Sequence, residues 1–370
     1  MTSDDTAGGT PARRRVTLTG ISSRAWEHPA DRGALTALRE LRGFDDVVKA
    51  FFGMWNERGF RLSYLAGGIR VDHRQYPSVY ARYAEAGAAL DIAELPELFV
   101  EQNPVIGGKA IGLDKPFIVI TTGAVQQLDE EELRTLLGHE LGHVRSGHAV
   151  YKTIMMVLTR WATNVAWLPI GAIALRAIIA AMYEWWRKAE LSADRAGLLA
   201  GQDPAAALRL LMKIAGGGDL SQIDTTAFLE QAAEYQGGGD LRDSLHKLRM
   251  TAWSSHPVPV ARAADLRQWV DSGAYARILG GDYPHRDSDG DAKITEAAKA
   301  AADSYRETFA NSSDPLVTLA RRLSGGAADI GEWAGSQAGK ARDWASTAAD
   351  SAARAARRRP GTNGGDRPAE

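Results

Sequence analysis

The chain has 370 residues, of which 24% are charged and 45% hydrophobic, and its formal net charge is −2. This length and composition are typical of a globular protein with one or two domains, and the small net charge predicts no nucleic-acid partner. Because the chain lacks cysteine, disulfides, thiolate nucleophiles and cysteine-ligated zinc sites are excluded.

The first 96 residues divide into two predicted parts. Residues 1–30 show no hydrophobic period, which predicts disorder, and no apolar run follows Arg13–Arg15 as a secretory signal would require. We therefore expect a cytoplasmic protein. Apolar residues at helical spacing over 31–60 and 76–92 predict an N-terminal helical region, residues 31–96, packed on the part that follows.

Residues 97–280 are predicted to form the main domain. Short runs rich in apolar and β-branched residues at Glu97–Val100, Lys109–Leu113 and Pro116–Thr122 predict a small sheet. Asp129–Glu132 then precede an apolar helix, and acidic residues favour a helix N-terminus. Helical patterns dominate the remainder of the domain, so the order of elements predicts a mostly helical α+β fold.

The strongest chemical signal lies in that helix, at Gly138-His-Glu-Leu-Gly-His143. His139 and His143 are four residues apart, so both imidazoles share one helix face and can reach one metal ion. Glu140 can point towards the open coordination position and accept a proton from a zinc-bound water. His148 lies about 500° beyond His143 on an ideal helix, which predicts that it points away from the metal.

The most apolar stretch of the chain follows, at residues 154–186. It is long enough to span a bilayer, which takes about 20 residues. However, Arg160 and Arg176 interrupt it and Pro169–Gly171 divide it, and a charged residue within a span is costly. Two shorter helices, packed on the domain or forming a membrane-associated hairpin, therefore compete with a single span.

Two downstream carboxylates complete the predicted site. Glu190 could be the third protein ligand that a catalytic zinc ion needs. Asp194, one turn further along the same face, could accept the second N–H of a ligand histidine and so fix its tautomer. An ordinary solvated helix face is the competing interpretation, but Trp185-Trp186 and the Ala- and Leu-rich run after them favour burial of Glu190.

The C-terminal third carries weaker signals. His256 could donate a hydrogen bond to a developing oxyanion and Arg262 could orient substrate or backbone, although His-Pro before a helix is also an ordinary turn. Residues 281–370 are rich in Ala and Gly and predict a largely disordered or amphipathic tail. Within it, Asp287–Asp291 resemble a calcium loop, but Ala292 stands where the loop requires glycine, so a linker is the better interpretation.

In this order, the motifs resemble those of the HtpX-like and CAAX-prenyl-protease-like zinc metalloendopeptidases, gluzincins in which HExxH is followed by ExxxD. The resemblance runs from Phe44 to Trp269 and includes Asn103-Pro104, PFIVITTG, DEEELRTLLGHELGHVRSGH, EWWRKAELSADRAG, AFLEQAAEY and SSHPVPVAR. It implies a zincin-like domain with a three- to four-stranded sheet and an active-site helix that carries HExxH.

The resemblance also implies a role for each motif residue. One Zn²⁺ per chain would be held by His139, His143 and Glu190. Glu140 would be the catalytic base, and Asp194 would support a ligand from behind.

Further roles concern the substrate. By resemblance, His256 and Arg262 belong to an element that approaches or plugs the active site in some relatives. The strand near 107–113 would be the edge strand that pairs with an extended peptide. The family usually has Asn-Ala where this chain has Gly107-Gly108, so these two glycines are predicted substrate-binding positions that depart from the family pattern.

The predicted function is hydrolysis of peptide bonds in polypeptide substrates, in protein quality control, by a zinc-bound water that Glu140 activates. The alternative is a non-proteolytic zinc protein that binds peptides as a chaperone does; Glu140 argues against it, because binding alone does not need that residue. A resting protease with His256 as a fourth ligand is a third interpretation. No sequence feature indicates an oligomeric state.

Overall fold

The structure, a computed structural model, describes residues 15–40, 44, 47–48, 51–52, 56–161, 172–237 and 258–291. The helices of the described residues are α1 (Pro29–Arg39), α2 (Glu57–Gly67), α3 (Pro77–Ala89), α4 (Thr122–Gln127), α5 (Glu130–Arg145), α6 (His148–Trp161), α7 (Ala172–Gly201), α8 (Pro204–Gly216), α9 (Thr225–Gly237), α10 (Pro259–Asp271) and α11 (Ala274–Leu279). Short 3-10 helices lie at Ser23–Ala25 and Arg286–Asp291. The predicted mostly helical α+β fold is confirmed.

One four-stranded sheet lies within this helical body. Its strands are β1 (Ile69–Arg70), β2 (Leu98–Glu101), β3 (Gly108–Ile111) and β4 (Phe117–Thr121), in the order β1-β2-β4-β3. β2 and β4 are parallel, and the outer strands pair antiparallel to them. β3 is therefore an edge strand, in the place where the sequence predicts one. β1 was not predicted, because two residues are too few to show an alternating pattern.

The sheet separates two apolar layers because side chains alternate along each strand. In β4, Ile118 and Ile120 face the main core, which includes residues of α3, α5 and α7. Phe117 and Val119 face a smaller cluster. The sheet is thus covered on both sides, and it presents β3 next to α5.

α5 begins at a well-defined N-terminus. Asp129 accepts a hydrogen bond from the backbone N–H of Glu132, and the Glu132 side chain accepts one from the backbone N–H of Asp129. This reciprocal capping box satisfies two backbone donors that a helix start otherwise leaves unpaired. The predicted helix start at the acidic run is confirmed.

α7 packs closely against α5. A methyl group added at Gly138 would overlap the Ala200 side chain, and one added at Gly142 would overlap that of Ala196. The two helices run antiparallel, because the later glycine of α5 meets the earlier alanine of α7. This packing brings the C-terminal half of α7, which carries Glu190 and Asp194, beside the two histidines of α5.

The apolar stretch over 154–186 contributes to α6 and α7, two helices rather than one. Their described apolar side chains, among them Ile154, Met182 and Trp185, pack in a buried cluster with residues of α1. Among the described residues, no helix is long and apolar enough to cross a membrane. Residues 162–171, with Pro169–Gly171, lie outside the described part of the chain.

The prediction of disorder over residues 1–30 is wrong for residues 15–30. Leu18, Ile21 and Trp26 are each 1% exposed and belong to the main core. The Trp26 indole also donates a hydrogen bond to the Ser146 hydroxyl at 3.0 Å, just after α5 ends. Isolated apolar residues without a period gave no sign of this long-range packing; residues 1–14 lie outside the described part.

The predicted start of the tail, residue 281, also lies too early in the sequence. Ile21 forms a β-bridge with His285, and the Arg286 side chain donates a hydrogen bond to the Asp91 carbonyl at 3.0 Å. Residues 281–291 are therefore attached to the folded body. The remaining tail, from residue 292, lies outside the described residues.

Trp26→Ala tests whether the N-terminal segment is part of the core. Removing a buried tryptophan should lower the free energy of unfolding by about 3–5 kcal/mol, measured by urea denaturation. Val16→Ala, at a position that is 48% exposed, is the control and should change it by no more than about 0.5 kcal/mol. Equal effects of the two substitutions would contradict the assignment.

Candidate active site

His139, His143 and Glu190 converge as the sequence predicts. The two histidine Nε2 atoms are 3.1 Å apart. His139 Nε2 is 3.6 Å from one Glu190 carboxylate oxygen, and His143 Nε2 is 3.3 Å from the other. One ligand atom from each of the three residues lies within 4.8 Å of the others, and all three residues are buried.

These atoms fit a single metal ion. Two nitrogens bound to a tetrahedral zinc ion at 2.0–2.1 Å lie roughly 3.3 Å apart, close to the separation of the histidine pair. Two imidazoles and one carboxylate are also the donor set of catalytic zinc sites that keep one position open. The residues therefore suit a metal that binds nitrogen and oxygen ligands.

Asp194 supports His139 from behind. Its carboxylate lies 3.0 Å from His139 Nδ1, so the ring can direct Nε2 to the shared point. Burial disfavours the imidazolium, but the hydrogen bond to Asp194 and the charge of Glu190 outweigh it and raise the pKa of His139. The same carboxylates would attract a metal cation.

Arg262 pairs with both Glu190 and Asp194 of α7. Its Nε donates to Asp194 at 2.7 Å, a second nitrogen donates to the same carboxylate, and a third lies 3.2 Å from Glu190. Burial works against the Glu190 carboxylate, yet Arg262 and the two histidines hold the pKa of Glu190 well below its ordinary value. Glu190 is thus kept ionised, as a metal ligand must be.

Glu140 lies against the edge strand. The position of a Cβ atom added at Gly108 would be 2.7 Å from its Oε1 and 2.9 Å from its Cγ. Its other oxygen, Oε2, is buried and accepts no hydrogen bond from the described residues. Burial raises the pKa of this carboxyl above its ordinary value, with the charge of Lys152 opposing the change. Within the described structure, Glu140 therefore has an unsatisfied acceptor near His139, His143 and Glu190.

His143 is held on its other side by residues that the sequence did not assign. Its ring stacks on Trp186, with centroids 4.6 Å apart, and its Nδ1 lies 3.1 Å from His148 Nδ1. The prediction that His148 points away is wrong, because α5 ends at Arg145 and α6 starts at His148. Gly147, with φ +71°, makes the break; a glycine at this point is a known helix-stop signal.

Two further residues were missed. The Lys152 ammonium lies 4.0 Å from the Trp186 ring centroid, and its charge acts on both Glu140 and Glu190. Asp31, in α1, lies 3.0 Å from His148 Nε2. Neither belongs to a motif, so only the fold brings them to the site.

The remaining residues with predicted roles in substrate binding or catalysis are Gly107, Arg262 and His256. Gly107 is next to the site, and its carbonyl accepts a hydrogen bond from the Thr121 N–H at 3.1 Å. Arg262 is 5% exposed, and its contacts are to Asp194 and Glu190, so its substrate-binding role stays a prediction. His256 lies outside the described residues, and its roles also stay predictions.

Comparisons with known proteins agree with this geometry. Residues 73–270 match the sequence pattern of peptidase family M48. The chain is 34% identical over 259 residues to the plastoglobule-localized metallopeptidase 48, chloroplastic, of Arabidopsis thaliana. The aligned region covers 69% of this chain and 74% of the relative. A protease HtpX homolog of Lactobacillus acidophilus is 26% identical over 135 residues, 36% of this chain and 41% of the relative. No solved structure matches.

Arg262→Met tests the buried pairing. Removing the guanidinium leaves Asp194 and Glu190 without their shared cation, so the free energy of unfolding should fall by about 3–5 kcal/mol. Arg267→Met, in the same helix, removes an exposed pair with Asp271 and should cost at most about 1 kcal/mol. Urea denaturation of both variants without added metal makes the measurement. If Arg262→Met cost no more than Arg267→Met, the pairing would carry no stability.

Proposed function

This chain belongs to peptidase family M48 and is a metal-dependent peptidase, and on that premise we propose that its ion is Zn²⁺, one per chain, and that Glu140 is the general base. The observation that carries the proposal is the convergence of His139, His143 and Glu190 beside a buried Glu140 oxygen that accepts no hydrogen bond within the described part of the chain. Two imidazoles with one carboxylate favour zinc over the hard cations Ca²⁺ and Mg²⁺, which take oxygen ligands.

Each side chain has a task in hydrolysis. When bound, the ion supplies a Lewis acid that acidifies water to a pKa of about 7 and polarises the scissile carbonyl. Glu140 takes a proton from the attacking water and passes it to the leaving amine. Asp194 holds His139, and Arg262 holds Asp194 and Glu190. His256, by its place in the sequence motif, is proposed to steady the tetrahedral intermediate.

The substrate is proposed to be an extended polypeptide that pairs with β3. Because Gly107 pairs with β4 through its carbonyl, the backbone groups of Gly108 face the free edge, as backbone groups alternate along a strand. Further along, the Gly112 N–H donates to the Thr153 hydroxyl of α6 at 3.0 Å. The start of β3, next to Glu140, is therefore the part of the edge that suits peptide binding.

Main-chain recognition favours a role in protein quality control. A chain that adds a strand to an edge must be extended and is read mainly through its backbone, which suits unfolded proteins of varied sequence. A cytoplasmic location, and membrane contact through 154–186, also remain proposals; one relative is named as plastoglobule-localized. The non-proteolytic alternative is not favoured, because a peptide-binding protein has no need of a buried carboxylate at Glu140 with one oxygen that no described residue satisfies.

Glu140→Gln tests the general base. The variant should bind zinc as tightly as the wild type, because Glu140 is not a ligand, while hydrolysis of unfolded casein should fall by about 10²–10⁴-fold. Glu130→Gln, at the exposed start of the same helix, is the control and should keep full activity. Zinc content is measured by metal analysis, and turnover before and after chelation and zinc addition. Full turnover by Glu140→Gln would refute the assignment.

Gly108→Val tests the contact between the edge strand and the base. The new side chain must displace the Glu140 carboxylate, and such a misplacement should lower kcat by about 10–100-fold without loss of zinc. Gly107→Val is the matched control, since a Cβ atom at Gly107 meets no atom within 4 Å. The kcat values of the two variants are compared on one peptide. A kcat for Gly108→Val as high as for Gly107→Val would show that the contact does not position the base.

A further inference from the structure

The two metal-binding histidines differ in what supports their second nitrogen. His139 Nδ1 faces a carboxylate directly, that of Asp194, at 3.0 Å. His143 Nδ1 instead faces another imidazole nitrogen, His148 Nδ1, at 3.1 Å. The opposite nitrogen of His148, Nε2, lies 3.0 Å from Asp31 Oδ2. A chain of two contacts therefore leads from His143 to a carboxylate in α1.

Only one proton arrangement lets His143 bind a metal. If Nε2 of His143 offers its lone pair to the ion, its proton must be on Nδ1, and that N–H donates to His148 Nδ1. His148 then carries its own proton on Nε2 and donates it to Asp31. The reverse arrangement would put the proton of His143 on Nε2, where it blocks ligation, and would face the bare Nε2 of His148 towards a carboxylate.

The environment of Asp31 favours the proton arrangement in which His148 carries its proton on Nε2. It is 0% exposed, and it accepts hydrogen bonds from the Trp185 indole at 2.9 Å and from the Ser192 hydroxyl at 2.6 Å. Ser192 in turn accepts the backbone N–H of His28 at 2.9 Å. The carboxylate is thus fixed between α1 and α7, and its position determines which nitrogen of His148 carries the proton.

We propose that His148 and Asp31 are positioning residues that select the metal-binding tautomer of His143 and fix its ring. The inference rests on the proposed function, since it takes His143 as a metal ligand. It makes the N-terminal helix α1 a working part of the metal centre. Neither residue touches substrate, so their effect should appear first in zinc affinity.

Two substitutions of His148 separate its two contacts. The side-chain oxygen of asparagine can occupy the place of Nδ1, so His148→Asn keeps an acceptor for His143 but loses the contact to Asp31. The side-chain amide of glutamine can reach the place of Nε2, so His148→Gln keeps a donor to Asp31 but loses the acceptor. Each variant loses one hydrogen bond, so similar losses of stability are expected and a difference in zinc affinity reports on His143.

The experiment measures zinc affinity of the full chain by competition with a chromogenic chelator. His148→Gln should bind zinc about 10–100-fold more weakly than the wild type, and His148→Asn should stay close to the wild type. The absorption spectrum of the Co²⁺-substituted protein should change for His148→Gln alone. Tyr83→Phe, which removes a buried hydrogen bond to the Pro96 carbonyl away from the metal-binding residues, is the control and should leave zinc affinity unchanged.

A double-mutant cycle tests Asp31. Asp31→Asn should weaken zinc binding about tenfold in the wild type, but not in the His148→Asn background, because an asparagine oxygen has no tautomer to select. A loss that is equal in both backgrounds, or wild-type affinity in His148→Gln, would overturn the proposal. If the wild type itself failed to bind zinc, the proposed function would fail instead, so the two results are distinguishable.

Discussion

The close contact between α5 and α7 sets the geometry of the active site. Helices usually pack with their axes 8–10 Å apart, and any side chain at Gly138 or Gly142 would press α7 away through Ala200 or Ala196. Metal ligands tolerate errors of only about 0.2 Å in their distances. A displacement of α7 by the width of a methyl group would therefore remove Glu190 from the ligand set while the histidine pair stayed intact. The two glycines of the motif are as necessary to the site as its histidines.

Electrostatics explains why such a site needs a cation. The ionisable groups around the ligand histidines carry a formal charge of 2 − 4 = −2, from Lys152, Arg262, Glu140, Glu190, Asp194 and Asp31. Burying unbalanced charge costs several kcal/mol for each ion, and a divalent cation would balance the set. The raised pKa of His139 reflects the same excess of negative charge, because Asp194 and Glu190 favour the imidazolium against the effect of burial. The excess negative charge of these buried groups therefore favours binding of a divalent cation.

The sequence predicts those parts of the site that depend on local spacing. His139 and His143 share a helix face by their separation alone, and the acidic run at Asp129 marks the start of that helix. Glu190 required a second motif and the family resemblance, because 47 positions separate it from His143. Asp31 and Lys152 have no local signal at all. They reach the site only because α1 and α6 pack on α7, and such long-range packing is not encoded in any short pattern.

His148 lies against His143 because the helix that carries the motif ends before it. Continuing an ideal helix past Arg145 turned this residue away from the metal, but Ser146-Gly147 is itself a helix-ending pattern, and Gly147 adopts a positive φ. Ending the helix there turns the chain back, so that α6 starts with an imidazole against His143. The break is thus part of the site rather than a mere connection between helices.

In the proposed mechanism, catalysis and substrate binding meet at the contact between Glu140 and Gly108. Glu140 occupies the space that the missing side chain of Gly108 leaves, and the same residue presents its backbone groups to the free edge of β3. A peptide paired there would pass beside Glu140, so the strand proposed to align the scissile bond also limits where the carboxylate can lie. A side chain at this position would have to be accommodated by a different orientation of the base. If a peptide pairs with this edge as proposed, a side chain at Gly108 would affect substrate alignment and the placement of Glu140 together, and the two could not vary independently in this chain.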